Sequence, residues 1–225
     1  MDFYHIFNRG VEKRKTFLND GDYLRFIHDL YVFNDEKPAP NYIVKARRAE
    51  NRQSRKLLVY IHAFCLMPNH YHMLLSPVVE NGISLFIQKL AMGYAKYFNE
   101  KYSRSGSLWQ GKYKKKYIEK DAHFLYIPYY IHLNPLDLSM PEWRKGGIKN
   151  IPKAIEKLKN HRWSSHLDYS GTKNFPSVLY QKEISEILGS QKNYLKQMAD
   201  IISNPEITSE NNDIEYDNNP GHSTT

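Results

Sequence analysis

The chain has 225 residues, 41% of them hydrophobic, and its 32 Lys and Arg against 24 Asp and Glu give a net charge of +8 and a pI near 9.3. That length and apolar content suffice for one well-buried core, or one domain with an appendage. Five of the acids (Glu206, Glu210, Asp213, Glu215, Asp217) fall between Ser203 and Thr225, where Lys and Arg are absent, so the preceding residues hold 19 acids against all 32 basic residues and stand at +13. A surplus of that size draws in a polyanion and makes affinity fall with salt; the blander reading is a basic surface that only solubilises. Cys65 is the single cysteine, which excludes an intrachain disulfide and a Cys-based zinc site. With no apolar run of about 18 residues and no charged-then-apolar leader, neither a membrane span nor a secretory signal is expected, and the protein is expected to be cytoplasmic.

A short strand is expected near Phe3 to Asn8, then a helix from about Asp22 to Phe33, started by Asp20 or Gly21, with Tyr23, Phe26, Ile27, Leu30 and Tyr31 at helical spacing. Residues 34–56 break into a polar stretch with Pro38 and Pro40, then Lys45, Arg47, Arg48, Arg52, Arg55 and Lys56. This reads as an inserted basic loop, either contacting phosphate or merely solvated, with Arg47 and Arg48 as its candidate DNA contacts. Leu57 to Leu66 and His70 to Ser76 read as strands paired in a hairpin around Met67-Pro68-Asn69. In the second strand His70 and His72 project to one face while Tyr71 points away, which makes the two imidazoles a candidate pair of metal ligands.

After Asn81-Gly82 an amphipathic helix is expected over Ile83 to Tyr102, carrying Leu85, Phe86, Leu90, Met92, Tyr94, Tyr97 and Phe98. Trp109 to Ile118 reads as a strand with Lys112, Lys114, Lys115 and Lys116, in which Trp109, Tyr113 and Tyr117 share a face. Aromatic platforms interleaved with cations suit single-stranded DNA, core packing being the alternative for the aromatics. A helix from Asp121 reaches Asn134 and is stopped by Pro135, and Pro128 either kinks it or marks a later start. On that helix Tyr130 and Asn134 are neighbours four residues apart, a candidate nucleophile and a third metal ligand. The order of elements gives a split βαβ arrangement, an antiparallel sheet with helices on one face. A C-terminal extension over 141–203, with Trp143, Trp163 and a helix near Glu183 to Ile202, is expected to pack on it. Residues 204–225 are too polar to fold and read as a disordered acidic tail.

Five motifs in this order, Tyr4-His5-Ile6-Phe7-Asn8-Arg9-Gly10, Met67-Pro68-Asn69-His70-Tyr71-His72, Gly106-Ser107-Leu108-Trp109-Gln110 with the basic run after it, Tyr130 to Pro135, and Trp163-Ser164-Ser165, resemble the HUH endonucleases. Within them the pattern is most similar to the REP-associated branch of the single-tyrosine transposases. Two departures stand out: Tyr71 lies between the histidines where a smaller apolar residue is usual, and Pro128 falls two residues before Tyr130. The resemblance implies a ferredoxin-like domain over 1–140 and a metal-dependent strand transferase that nicks single-stranded, hairpin-bearing DNA. The hairpin would belong to a repeated palindrome or a mobile-element end, and the protein would act as a monomer or homodimer. It also implies a 5′-phosphotyrosine intermediate with a free 3′ hydroxyl, and DNA contacts by Arg9 and Gln110.

A tyrosine with a pKa near 10 is only about 0.1% phenolate at neutral pH, so the phosphate must be activated instead. A divalent ion on His70, His72 and Asn134 would do this as a Lewis acid, and two imidazoles with a carboxamide favour Mg2+ or Mn2+ over zinc. Tyr129 lies about 140° round the helix from Asn134 and is excluded. Tyr126 shares the metal face, and the resemblance chooses Tyr130 over it. His132, about 200° away, is expected to pack or face solvent, and His5 and His62 read as strand residues. The alternatives from other classes are a non-catalytic ferredoxin-like DNA or RNA reader, or a replication initiator or relaxase with the same chemistry.

Overall fold

The computed structural model describes residues 1–38, 55–119 and 121–209. Arg47 and Arg48, most of the basic loop, and residues 210–225 lie outside the described residues. Four strands, β1 (Tyr4–Arg9), β2 (Val59–Met67), β3 (His70–Pro77) and β4 (Lys114–Tyr117), form one antiparallel sheet in the order β2-β3-β1-β4. With α1 (Asp20–Val32) between β1 and β2 and α2 (Gly82–Lys101) between β3 and β4, this is the expected split βαβ topology of an α+β, ferredoxin-like fold.

Helices α1 and α2 cover one face. Tyr23, Phe26, Ile27 and Leu30 of α1, with Phe86, Leu90, Tyr94 and Phe98 of α2, are buried against Ile6, Tyr71, Met73 and Leu75. These positions recur every three to four residues, so each helix turns one stripe to the sheet. Tyr31, Leu85 and Met92, counted from sequence among the apolar positions, fall outside those stripes and are exposed. Gly82 begins α2 where a Cβ would stand 2.1 Å from the Leu58 carbonyl oxygen, so only glycine permits this approach to β2.

The opposite face is covered as well, by α3 (Asp121–Leu133) and the C-terminal helices α4 (Ile151–Asn160), α5 (His166–Tyr169), α6 (Lys182–Leu188), α7 (Gln191–Ser203) and α8 (Pro205–Ser209). Helix α3 runs through Pro128, and Asn134 opens a 3-10 turn, Asn134–Leu138, followed by a second, Pro141–Lys145. A bulge at His62 shifts the β2 register between Ile61 and Ala63. It turns Ala63, Cys65 and Met67 toward α3, the face of His72 and Leu74.

The C-terminal extension seals the β2 edge. Leu66 N–H donates to Trp163 O (2.9 Å), Ser165 N–H to Phe64 O (3.0 Å) and Tyr180 N–H to Ile61 O (2.8 Å). Trp163 stacks on Tyr23 at 4.7 Å. His132 packs rather than facing solvent: its ring pairs with Ser165 Oγ (2.7 Å) and with the Tyr194 hydroxyl (2.8 Å), which also meets His166 (2.9 Å). The Trp163-Ser164-Ser165 motif is thus a seam between β2, α3 and α7. Helix α8 continues regular structure past the expected start of the tail at residue 204.

Candidate metal and tyrosine site

The two histidines are aimed by their neighbours. The Pro68-Asn69 turn is gripped by the loop after β1, with Thr16 N–H and Phe17 N–H donating to Pro68 O and Gly10 N–H to Asn69 O. Asn69 Oδ1 lies 2.7 Å from His70 Nδ1, and His5 Nε2 lies 2.9 Å from His72 Nδ1. The two rings stand edge to face at 5.1 Å. With Nδ1 engaged on both, Nε2 is the remaining nitrogen, and on both rings it is buried with no hydrogen-bond partner among the described residues. Metal-binding histidines have this arrangement, an outer partner on one nitrogen fixing the tautomer and aiming the other.

Burial keeps the cluster neutral. It holds His5 down to about 3, His70 down to about 4 against the opposing pull of Asp137, and His72 well below the ordinary imidazole value, where His70 and His5 add to it. Neutral imidazoles are the form that binds a cation.

Tyr130 is fully buried beside this pair, 5.7 Å ring to ring from both His72 and His5. Asn134 Nδ2 donates back to Tyr130 O (2.7 Å), which fixes the four-residue neighbourhood expected from the helix. The Asn134 carboxamide oxygen accepts from Arg144 Nη2 at 3.3 Å, and its second lone pair leaves it able to serve a cation too. Among the described residues no three His, Cys, Asp or Glu side chains are grouped to hold a metal. Tyr129 points away, donating to Gln197 and stacking on Tyr194, whereas Tyr126 lies 6.3 Å from Tyr130.

Arg144, Asp137, His5 and Asn69 complete the cluster and were not singled out as site residues from sequence. Asp137 takes Arg144 Nε (2.9 Å) and Nη2 (2.6 Å) and the Trp143 indole N–H (2.7 Å). Both 3-10 turns are needed to bring these groups back to α3, and spacing alone does not reveal that. His5 gave a signal in its alternation along β1, but only the strand register places it diagonal to His72.

The candidate DNA contacts divide between two faces. Arg9 is paired with His70 across β1 and β3, and Lys114 and Lys116 are paired with Phe7 and His5, so all three share the histidine face. Lys115 and Tyr117 turn to the other side, where the Lys115 ammonium lies 4.0 Å above the Tyr4 ring and Tyr4 meets Tyr117 at 5.3 Å. There a groove of about 570 Å³ opens between β4 and α2, lined by Asn8, Gln88, Trp109, Lys112, Tyr113 and Lys115. Trp109 follows the core-packing alternative. It is 6% exposed, meets Tyr71 at 5.3 Å and donates its N–H to Ala91 O, so its ring is core and only its rim reaches the groove. The expected strand over 109–118 is also interrupted: Gly10 bridges Trp109, Gly111 takes φ +67°, and β4 starts at Lys114. Gln110 is exposed, with its N–H on Arg9 O.

Residues 43–134 match the model of the IS200-like transposase family. No curated protein sequence matches the chain. A solved structure described as a REP-associated tyrosine transposase bound to a REP hairpin is similar at 15% identity and a TM-score of 0.42, covering 61% of this chain and 68% of that one. The matched segment runs through both histidines, Tyr130 and Asn134.

Proposed function

We propose that this protein is a metal-dependent DNA strand transferase that nicks single-stranded, hairpin-bearing DNA with Tyr130 as nucleophile. The observation that carries the reading is the pair of buried Nε2 atoms on His70 and His72, each ring oriented through Nδ1, set beside a buried tyrosine. His70, His72 and Asn134 would hold Mg2+ or Mn2+, which when bound supplies Lewis-acid stabilisation of the scissile phosphate. The phenol oxygen of Tyr130 bonds to phosphorus and gives up its proton, while the bond to the 3′ oxygen breaks and that oxygen is protonated. The strand is left with a 3′ hydroxyl and a 5′ phosphotyrosine, and attack by another 3′ hydroxyl reverses the step and joins strands.

The DNA path follows the cations. Arg9, Lys114 and Lys116 lead phosphates to the histidine face, and Lys112, Lys115, Tyr113 and Gln110 hold the flanking strand at the β4 edge. Tyr4 and Tyr117 take the base-stacking place expected of Trp109. The preference for a hairpin rests on the resemblance to the REP-associated branch.

The test is to incubate the protein with labelled single-stranded hairpin DNA and Mn2+, then run a denaturing protein gel. A labelled protein band that vanishes with chelator and in Tyr130→Phe supports the reading. Tight binding that ignores chelator, with no band from a panel of hairpins, leaves a non-catalytic DNA-binding module instead.

A further inference from the structure

Arg144 lies beyond the segment that matches the family, ten residues after Asn134, and nothing in the motifs marks it. Its guanidinium is pinned by the two oxygens of Asp137, touches the carboxamide oxygen of Asn134, and has its central carbon 5.4 Å from the centre of the Tyr130 ring. Burial works against its charge, but Asp137 and the Tyr130 oxygen outweigh it and hold the group above its ordinary value. A salt bridge that merely stapled the two 3-10 turns would be complete with Asp137. The contact to Asn134 also ties the two turns, but the position against Tyr130, on α3, lies outside any such staple. Exposure also grades outward, from 0% at Tyr130 and Asn134 and 2% at His72 to 18% for the Arg144 side chain. The Arg144 side chain is thus more exposed than the Tyr130 ring it lies against.

We propose that Arg144 is a further catalytic residue: its guanidinium binds the scissile phosphate against Tyr130 and carries the negative charge that gathers on the Tyr130 oxygen when that oxygen leaves. The proposal rests on the reading of Tyr130 as the nucleophile. Arginine suits the task because its planar fork matches phosphate oxygens and its proton is retained throughout, so it acts as a fixed charge and not as an acid. On cleavage the Tyr130 proton is lost, the bond to phosphorus forms and the 3′ oxygen departs with a proton. On rejoining, the incoming 3′ hydroxyl loses its proton and the Tyr130 oxygen leaves phosphorus as a phenolate beside Arg144, then is reprotonated. A cation fixed where charge develops is the arrangement that speeds such steps.

The test compares Arg144→Gln and Arg144→Lys with the unaltered protein in three readouts: hairpin affinity, the rate of adduct formation at saturating DNA, and the rate of rejoining when a 3′-hydroxyl strand is added. Arg144→Gln is expected to slow adduct formation and rejoining at saturating DNA by about 100-fold, with hairpin affinity lowered by no more than about tenfold and partial recovery in Arg144→Lys. If Arg144→Gln unfolds because Asp137 is left unpaired, Asp137→Asn with Arg144→Gln removes both charges and gives the same comparison. Rates within about threefold of the unaltered protein overturn the proposal while leaving the nucleophile intact.

A second measurement needs no turnover. Inorganic phosphate is titrated calorimetrically into the Tyr130→Phe protein with and without Arg144→Gln, and binding is expected to weaken about tenfold when Arg144 is lost. Should the unaltered protein form no adduct at all, the functional reading falls and this titration alone decides Arg144. Phosphate binding that does not depend on Arg144 overturns the proposal.

Discussion

His5 Nε2 stands 2.9 Å from His72 Nδ1, so one buried imidazole orients the next, and the ring facing the candidate metal position is held by a residue from a different strand. Outer partners of this kind typically change metal affinity by about 10–100-fold when removed. His5→Phe is therefore expected to weaken Mn2+ binding by about that factor, measured by titration followed by electron paramagnetic resonance. Unchanged Mn2+ affinity in His5→Phe would show that His72 needs no such support.

The two lysine sets are expected to separate binding from chemistry. Lys114→Gln and Lys116→Gln, on the histidine face, should each lower the slope of log affinity against log salt by about 0.7 for single strands, and should also slow adduct formation at saturating DNA. Lys112→Gln and Lys115→Gln, at the groove, should lower the slope alike and leave the saturated rate alone. Anisotropy titrations over a range of KCl concentrations, with adduct rates beside them, check both halves. Identical behaviour of the two sets would refute the division of the DNA path.

The seam between α3 and the C-terminal helices should be costly to open. Tyr194 joins His132 and His166 through one buried hydroxyl. Tyr194→Phe removes it without changing the packing much and leaves ring nitrogens unsatisfied, at a cost of about 1–3 kcal/mol. Urea unfolding measures this, and a change below about 0.5 kcal/mol would mean that the network contributes little.

Stability should fall on mild acidification. Burial lowers His62 and His166 from the ordinary 6.5 to about 4. The folded state keeps both rings neutral while the unfolded chain takes up protons below 6.5, so their contribution is full above that pH and is lost as pH falls from 6.5 toward 4. Asp29 and Asp168, raised by burial, pull the other way near the carboxylate range. The urea midpoint is therefore compared at pH 7.5 and 5.5, above that range, in the unaltered protein and in His166→Gln. A lower midpoint at pH 5.5, with a smaller drop in His166→Gln, is expected; equal midpoints at both values contradict it.

The histidine pair and the Tyr130–Asn134 pair were legible in the sequence because each depends only on the period of one strand or one helix. The sheet and its two covering helices were legible for the same reason, since one apolar stripe per helix decides which face is buried. What stayed hidden depends on long-range register or irregular backbone. The bulge at His62 re-phases β2 without any composition signal. Trp109 has the same alternation as Tyr113 and Tyr117, and only the packing of α2 decides that it is core. Arg144 and Asp137 reach Tyr130 by way of two consecutive 3-10 turns, so a boundary near residue 140 would cut through the cluster they complete.

Peptide mapping of the covalent product identifies the residue that attacks the DNA. The protein is reacted with hairpin DNA and Mn2+, the DNA is trimmed by nuclease, and the tryptic peptides are fragmented in a mass spectrometer. A 5′-phosphonucleotide on Tyr130, absent after chelation, is the expected result. The same mass on Tyr126, or a cleaved strand with no protein adduct, would contradict the account.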